Sequence, residues 1–306
     1  MALSKETSSF KTEKRRIDPS LRRRETLERL ETRERQRISA LSAILNVMIK
    51  AVQKAGRNMI RDFGEVSQLQ VTKKGPGDFV SNADIMAEKI LIESLSEDRP
   101  DYGIISEEKG SVPAKNGSPF TWIIDPIDGT TNFIHAIPYF AISVALREHD
   151  DIVAAVLFNP ITNELYYAEK GQGAFLMTPS GSKRLRVSGR SQPGDCLFGL
   201  TGFNEIGKKE LLEKFAGRVA GIRHMGSTTL ELASVAAGQL DAFITKGANL
   251  WDIAASYLFI REAGGKIATL SGKTGLQDLI KSEYIIASNL SLMATIQKGL
   301  AKKDVQ

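Results

Sequence analysis

Residues 122–133 read W-I-I-D-P-I-D-G-T-T-N-F, and this run holds the side chains best suited to chemistry. A buried strand delivers Asp125 at its end. Pro126 fixes φ and breaks the strand, so the chain turns. Asp128 follows three residues after Asp125, and such a turn can aim both carboxylates at one point. The Ile127 carbonyl, exposed by the turn, is a third hard oxygen. Gly129 lets the backbone come close to a ligand. Thr130, Thr131 and Asn132 then open a helix whose free N–H groups form an anion site. Two unpaired carboxylates that close repel by about 4 kcal/mol at 4 Å and intermediate dielectric. A divalent cation removes that penalty, and oxygen-only ligands select Mg²⁺, Mn²⁺ or Ca²⁺ over zinc. The plainer alternative is that Asp125 ends a strand and Asp128 caps a helix.

The surrounding elements must position this run. Residues 38–62 repeat apolar side chains at helical spacing (Leu41, Ile44, Leu45, Met48, Ile49, Val52), which predicts an amphipathic helix on a core. K-K-G-P-G-D-F-V-S-N-A-D at 73–84 is a turn-rich stretch, and a second helix follows over 83–95. Residues 102–105 and 121–124 are strand candidates. From 139 to 175, short apolar runs alternate with H-D-D, N-P-I-T-N and G-Q-G, the pattern of an antiparallel meander. Helices are expected at 205–218, 227–238, 252–263 and 289–300, with strands at 242–245 and 284–287. Such mixing implies sheets layered with helices.

Composition excludes several classes. The chain has 306 residues, and its longest weakly polar stretch, 135–146, is twelve residues interrupted by Pro138, too short to span a bilayer. One cysteine, Cys196, and three histidines (His135, His149, His224) exclude an intrachain disulfide and argue against a Cys/His zinc site. With no apolar leader region, the expectation is a cytoplasmic protein with no membrane association. Net charge is +5; residues 1–37 hold 12 basic and 7 acidic side chains, also +5, so the remainder balances at 29 of each. The basic pI therefore belongs to an N-terminal extension, residues 1–37, disordered or helical. A contact of its arginines with RNA or an acidic partner is the functional alternative there. The main domain is 38–306, in two lobes of about 38–190 and 191–306. Ser271-Gly272-Lys273-Thr274 mimics the end of a phosphate-binding loop, but Ile267 stands where that loop needs Gly, so it reads as a surface turn. Lys73 and Lys74 read as solvated.

The run 122–133 resembles the metal-binding signature of the inositol monophosphatases. Three further marks accompany it: Glu107-Glu108 lies 18 residues before Asp125, Gly77-Asp78 with Asp84 matches an early G-D-x-V-[ST]-x-A-D motif, and Trp251-Asp252-Ile253-Ala254-Ala255 matches a late W-D-x-A-[AG] motif. The body from about Ile38 is most similar to the bacterial extragenic-suppressor branch of that family.

The resemblance implies an α+β fold, a layered α-β-α-β-α sandwich, usually a homodimer. It implies two or three Mg²⁺ per site and sensitivity to lithium. Glu107, Asp125 and the Ile127 carbonyl would hold the first metal; Asp125, Asp128 and Asp252 the second. Glu107 and Thr130 would orient and activate the attacking water, with Asp84 hydrogen-bonded to Thr130. Gly129, Thr130 and Thr131 would contact the phosphate, Gly226, Ser227 and Thr228 would line the alcohol side, and Asp128, Thr245 and Asp252 would also bind substrate. Thr245 stands where many family members carry a Glu that binds inositol hydroxyls, and Ser256 where Gly is common. The implied activity is hydrolysis of myo-inositol 1-phosphate, or of a similar small polyol or sugar phosphate. The alternatives are a related phosphatase acting on another sugar or nucleotide phosphate, and a binding or scaffold role with the bacterial transcription machinery.

Overall fold

The structure is a computed structural model that describes residues 41–65, 71–75, 78–201 and 205–301. The N-terminal extension 1–37, Gly77, and the side chains of Lys73, Lys74 and Asp78 lie outside the described residues. The chain divides into two units, Met1–Leu41 and Ser42–Gln306.

Among the described residues of the second unit, two large sheets alternate with helices. The larger has eight strands in the order β10-β9-β8-β7-β6-β5-β3-β4. In chain order these are β3 Gly103–Ser106, β4 Gly110–Val112, β5 Phe120–Asp128, β6 Ala141–Glu148, β7 Asp151–Asn159, β8 Glu164–Glu169, β9 Gly173–Thr178 and β10 Gly181–Arg184. β6 to β9 are the expected meander, each antiparallel to the next. The smaller sheet has the order β12-β11-β13-β15-β14, from β11 Leu197–Thr201, β12 Gly221–Arg223, β13 Ala242–Thr245, β14 Lys266–Thr269 and β15 Ile285–Ser288.

The helices fill the remaining layers. α1 Ala43–Gly64 and α2 Asn82–Asp98 pack on each other and on one face of the larger sheet. α5 Thr228–Ala236 and α6 Leu250–Glu262 lie between the two sheets. α4 Glu205–Phe215 and α8 Leu290–Ala301 cover the outer face of the smaller sheet. The single turns α3 Thr130–Ile134 and α7 Leu276–Ile280 complete the set. The result is an α-β-α-β-α sandwich. Strand periodicity explains why both faces of the smaller sheet are apolar: Phe243, Ile285 and Ala287 point into the central core, while Ala242, Ile244 and Ile286 point into the outer one. No helix among the described residues is long and apolar enough to cross a membrane.

Three local expectations change. The stretch at 73–84 is not simply a turn: β1 Val71–Gly75 and β2 Asp78–Ser81 pair antiparallel, and α2 begins at once after them. Pro126 does not end its strand. β5 continues to Asp128, and its pairing with β6 resumes at Asp128↔Ala141 after an irregularity between Asp125 and Asp128. A bulge absorbs the missing Pro N–H and re-aims the side chains around it. The short polar strands β10 and β12 escape sequence reading because they lack an apolar alternation.

α1 approaches the larger sheet closely at Gly56, where an added Cβ would lie 2.7 Å from Phe158 Cε1. Gly56→Ala gains about 0.5–1 kcal/mol of helix propensity but overpacks at a cost of about 1–3 kcal/mol. Net destabilisation is expected, read as a lower denaturation midpoint with unchanged m-value.

Candidate active site

β3 and β5 run parallel, with Ser106 in register with Ile124. The next residues, Glu107 and Asp125, therefore emerge together at the carboxyl end of two adjacent strands. Glu107 begins the turn 107–109 that joins β3 to β4. That turn is held from α2: Glu88 Oε1 accepts hydrogen bonds from the N–H groups of Glu108 at 3.0 Å and Lys109 at 3.2 Å. Asp84 lies one helical turn before Glu88 on the same face, and both are buried. Thr130 Oγ1 stands 3.1 Å from Asp84 Oδ1 and 2.9 Å from the Ile127 carbonyl. Two loops of the site thus hang from one face of α2.

Asp125 is buried at 2% exposure, and its Oδ1 has no hydrogen-bond partner. Burial pushes its carboxyl well above the ordinary range, and the charges of Glu107, Asp128, Asp252 and Asp84 push it further the same way. These four acids and Asp125 are the ones that the sequence singles out. Among the described residues, no group of three or more acidic, histidine or cysteine side chains stands at the spacing of an assembled metal site. Asp128 and Asp252 are instead held by protein donors. Asp128 turns its carboxylate to the start of α5, accepting from Thr229 N–H at 2.8 Å, Thr229 Oγ1 at 2.5 Å, Thr228 N–H at 3.2 Å and the Ser227 hydroxyl. Burial raises its carboxyl and these donors oppose the rise. Asp252 Oδ2 accepts the Asn249 N–H at 2.6 Å, and burial, with Asp128 nearby, lifts its carboxyl to about 7.

Asn249 caps α6, and Asp252 is the third residue of a capping box. Gly129, not Asp128, caps α3, in the left-handed region at φ 95°. A Cβ there would lie 3.1 Å from the Tyr139 carbonyl oxygen and 3.3 Å from that of Gly226, so space and conformation both demand glycine. α3 has five residues, too few for an appreciable macrodipole, so an anion at its start would rely on local amides.

The other predicted residues fall as follows. Thr131 is exposed, and its carbonyl lies 2.8 Å from His135 Nδ1. Ser227 caps α5, its Oγ accepting from Leu230 N–H while it donates to Asp128, so this hydroxyl is committed to protein partners. Thr245 ends β13 at 1% exposure, in register with Thr201 and Ile285. Its neighbour Lys246 pairs with Glu283 at 2.6 Å. Ser256 Oγ bonds the Thr229 carbonyl at 2.9 Å and so ties α6 to α5. Sequence reading missed Glu88, Thr229 and Glu231 as parts of this architecture. Glu88 stands beside Lys89 as on a solvated face, Thr229 belongs to the polar run at the start of its helix, and Glu231 is enclosed by Leu230 and Leu232, so none is marked by its own spacing.

The donor set suits a hard cation: carboxylate oxygens, a backbone carbonyl, and one buried carboxylate oxygen with no proton donor to satisfy it. The model of the inositol monophosphatase family matches residues 40–304. The chain belongs to this family. An inositol-1-monophosphatase of Caulobacter vibrioides is 48% identical over 261 residues, covering 83% of this chain and 99% of the relative. A putative Nus factor SuhB of Neisseria meningitidis is 38% identical, covering 84% and 98%. The crystal structure of the extragenic suppressor protein suhB from Bartonella henselae superposes with a TM-score of 0.80 at 42% identity, covering 85% and 99%. The sandwich of this inositol monophosphatase family member is thus shared over nearly the whole second unit.

Proposed function

We propose that this chain is a Mg²⁺-dependent phosphomonoesterase that hydrolyses myo-inositol 1-phosphate or a similar small polyol phosphate. The observation that carries the reading is Asp125: a buried carboxylate with an unsatisfied oxygen and four acidic neighbours. Glu107, Asp125 and the Ile127 carbonyl would hold one Mg²⁺, and Asp125, Asp128 and Asp252 another, in a site of two or three ions. Bound Mg²⁺ supplies Lewis acidity toward the phosphoryl group and neutralises this cluster.

The protein's own groups do the positioning. The Thr130 hydroxyl has one proton, and while Oγ1 gives it to Asp84 Oδ1 its lone pairs are free to accept from water. Glu107, at the end of the adjacent parallel strand, would take the proton that this water loses. Gly129, Thr130 and Thr131 would approach the phosphate through their backbone. Thr245 is enclosed at 1% exposure and neutral, so it offers no carboxylate to inositol hydroxyls, and we propose tolerance of several polyols. Homodimeric assembly, lithium inhibition and a cytoplasmic location belong to the same proposal.

The test is phosphate release from inositol, sugar and nucleotide monophosphates, with Mg²⁺ and with or without Li⁺. Hydrolysis of inositol 1-phosphate that needs Mg²⁺ and falls with Li⁺ is expected. Activity confined to nucleotides would replace the substrate assignment. Relatives named Nus factor favour a second reading, a role in transcription. There, Asp125→Asn would leave the biological role intact while removing catalysis.

A further inference from the structure

The geometry points to Glu231 as a positioning residue for the phosphatase reaction: through the backbone of Met225 and Gly226 it fixes the segment that grips Asp128. Glu231 is fully buried in α5 and makes no contact expected of a solvated helix face. Its Oε1 reaches back past the helix cap and accepts the N–H groups of Met225 at 3.0 Å and Gly226 at 3.1 Å. Its Oε2 is buried without a partner. Burying a carboxylate with one oxygen unsatisfied costs more than an ordinary cap returns. A cap alone therefore does not account for an acid at this position.

The peptide it holds is anchored from the other side as well. The Met225 carbonyl accepts from Asn132 Nδ2 at 2.8 Å, and the same amide gives its second hydrogen to the Tyr139 carbonyl at 2.7 Å. Asn132 belongs to the D-G-T-T-N run. Gly226 has φ 85°, and a Cβ on it would lie 3.0 Å from Asn132 Nδ2, so the segment seats against that run without slack. The next three residues, Ser227, Thr228 and Thr229, supply all four hydrogen bonds to Asp128. Glu231 thus sets where Asp128 points, although it touches neither substrate nor metal. Glu88 acts in the same way, clamping two successive N–H groups of the turn that carries Glu107.

The catalytic part of this inference rests on the proposed phosphatase reading. The experiment compares full-length wild type, E231Q and E231L, with L292A, in the buried outer core, as a destabilised control. Two readouts are taken: kcat and KM for inositol 1-phosphate, and amide hydrogen exchange at Met225 and Gly226. Gln keeps an acceptor oxygen for both N–H groups, so E231Q should retain kcat within about 3-fold and keep both amides slow. E231L should lose about 10–100-fold in kcat, the range for partners that orient metal ligands, with a smaller change in KM. Its two amides should exchange at least about tenfold faster, a local opening of that size being modest on the scale of native-state fluctuations. L292A should melt lower yet keep kcat. The inference is overturned if E231L keeps wild-type kcat, if its two amides stay slow, or if E231Q falls as far as E231L. Should E231L not fold, E231Q decides through the same two readouts. If wild type hydrolyses no phosphate in the panel, the functional reading fails, while the exchange data still decide whether Glu231 holds the segment.

Discussion

Asp125→Asn should abolish Mg²⁺-dependent phosphate release and, in metal-free solution, raise the melting temperature. The two effects share one cause. In the folded chain the Asp125 carboxylate is buried, lacks a partner for Oδ1, and faces Glu107, Asp128, Asp252 and Asp84, each of which disfavours its charge. Asn has nearly the same shape and no charge, and its NH₂ group can donate to the surrounding carboxylates. Relief of a buried unpaired charge should contribute on the order of 1–3 kcal/mol, a rise of about 2–4 °C per kcal/mol in a chain of this size. Catalysis should fall at least about 10²–10³-fold, the loss typical of removing one preorganised electrostatic group. Phosphate release and a thermal melt in chelator measure both. Activity within tenfold of wild type would sink the site assignment, and a lower melting temperature would show that Asp125 is paired in solution.

The sequence points to this proposed centre because its chemistry is local. In D-P-I-D-G-T-T-N, two acids, a carbonyl, a left-handed glycine and a threonine lie within eight residues, and each keeps its meaning without knowledge of the fold. The layered architecture was legible for a similar reason. The meander from β6 to β9 shows in its apolar runs, and A-F-I-T at 242–245 is a strand as expected. What escaped is set by tertiary contacts. Glu231 sits between Leu230 and Leu232 in a helix that is buried all round, so no period marks it. Its role appears only when α5 folds back on the loop before it. Glu88 likewise looks like part of a solvated face until β3 and β4 bring their turn beneath it. Pro126 misled for a different reason: a bulge lets a strand continue past a residue that cannot donate to the ladder.

Stability of the metal-free protein should fall as pH rises from about 4 to 8, and added Mg²⁺ should reverse the trend at the upper end. The sign follows from Asp252 and Glu231, whose carboxyls are lifted by burial to about 7 from ordinary values of 3.8 and 4.5. Between the unfolded and folded values the native state binds more protons than the unfolded one, so stability declines with pH through this window and levels off above it. The more usual carboxylate, stabilised by a cationic partner, gives the opposite slope. Asp151 is such a case: partial burial works to raise its carboxyl, hydrogen bonds and charge from Lys170 and Arg261 together lower it, and solvent screens much of the effect. Mg²⁺ competes with protons for the site, so its stabilisation should be small at pH 5 and largest near pH 8. At 100 times its dissociation constant it should add about 2.7 kcal/mol. Thermal melts across pH, in chelator and in Mg²⁺, give both curves. Asp252→Asn should flatten the chelator curve, and a wild-type curve that climbs from pH 5 to pH 8 without metal would mean that these acids are already neutralised by protein groups.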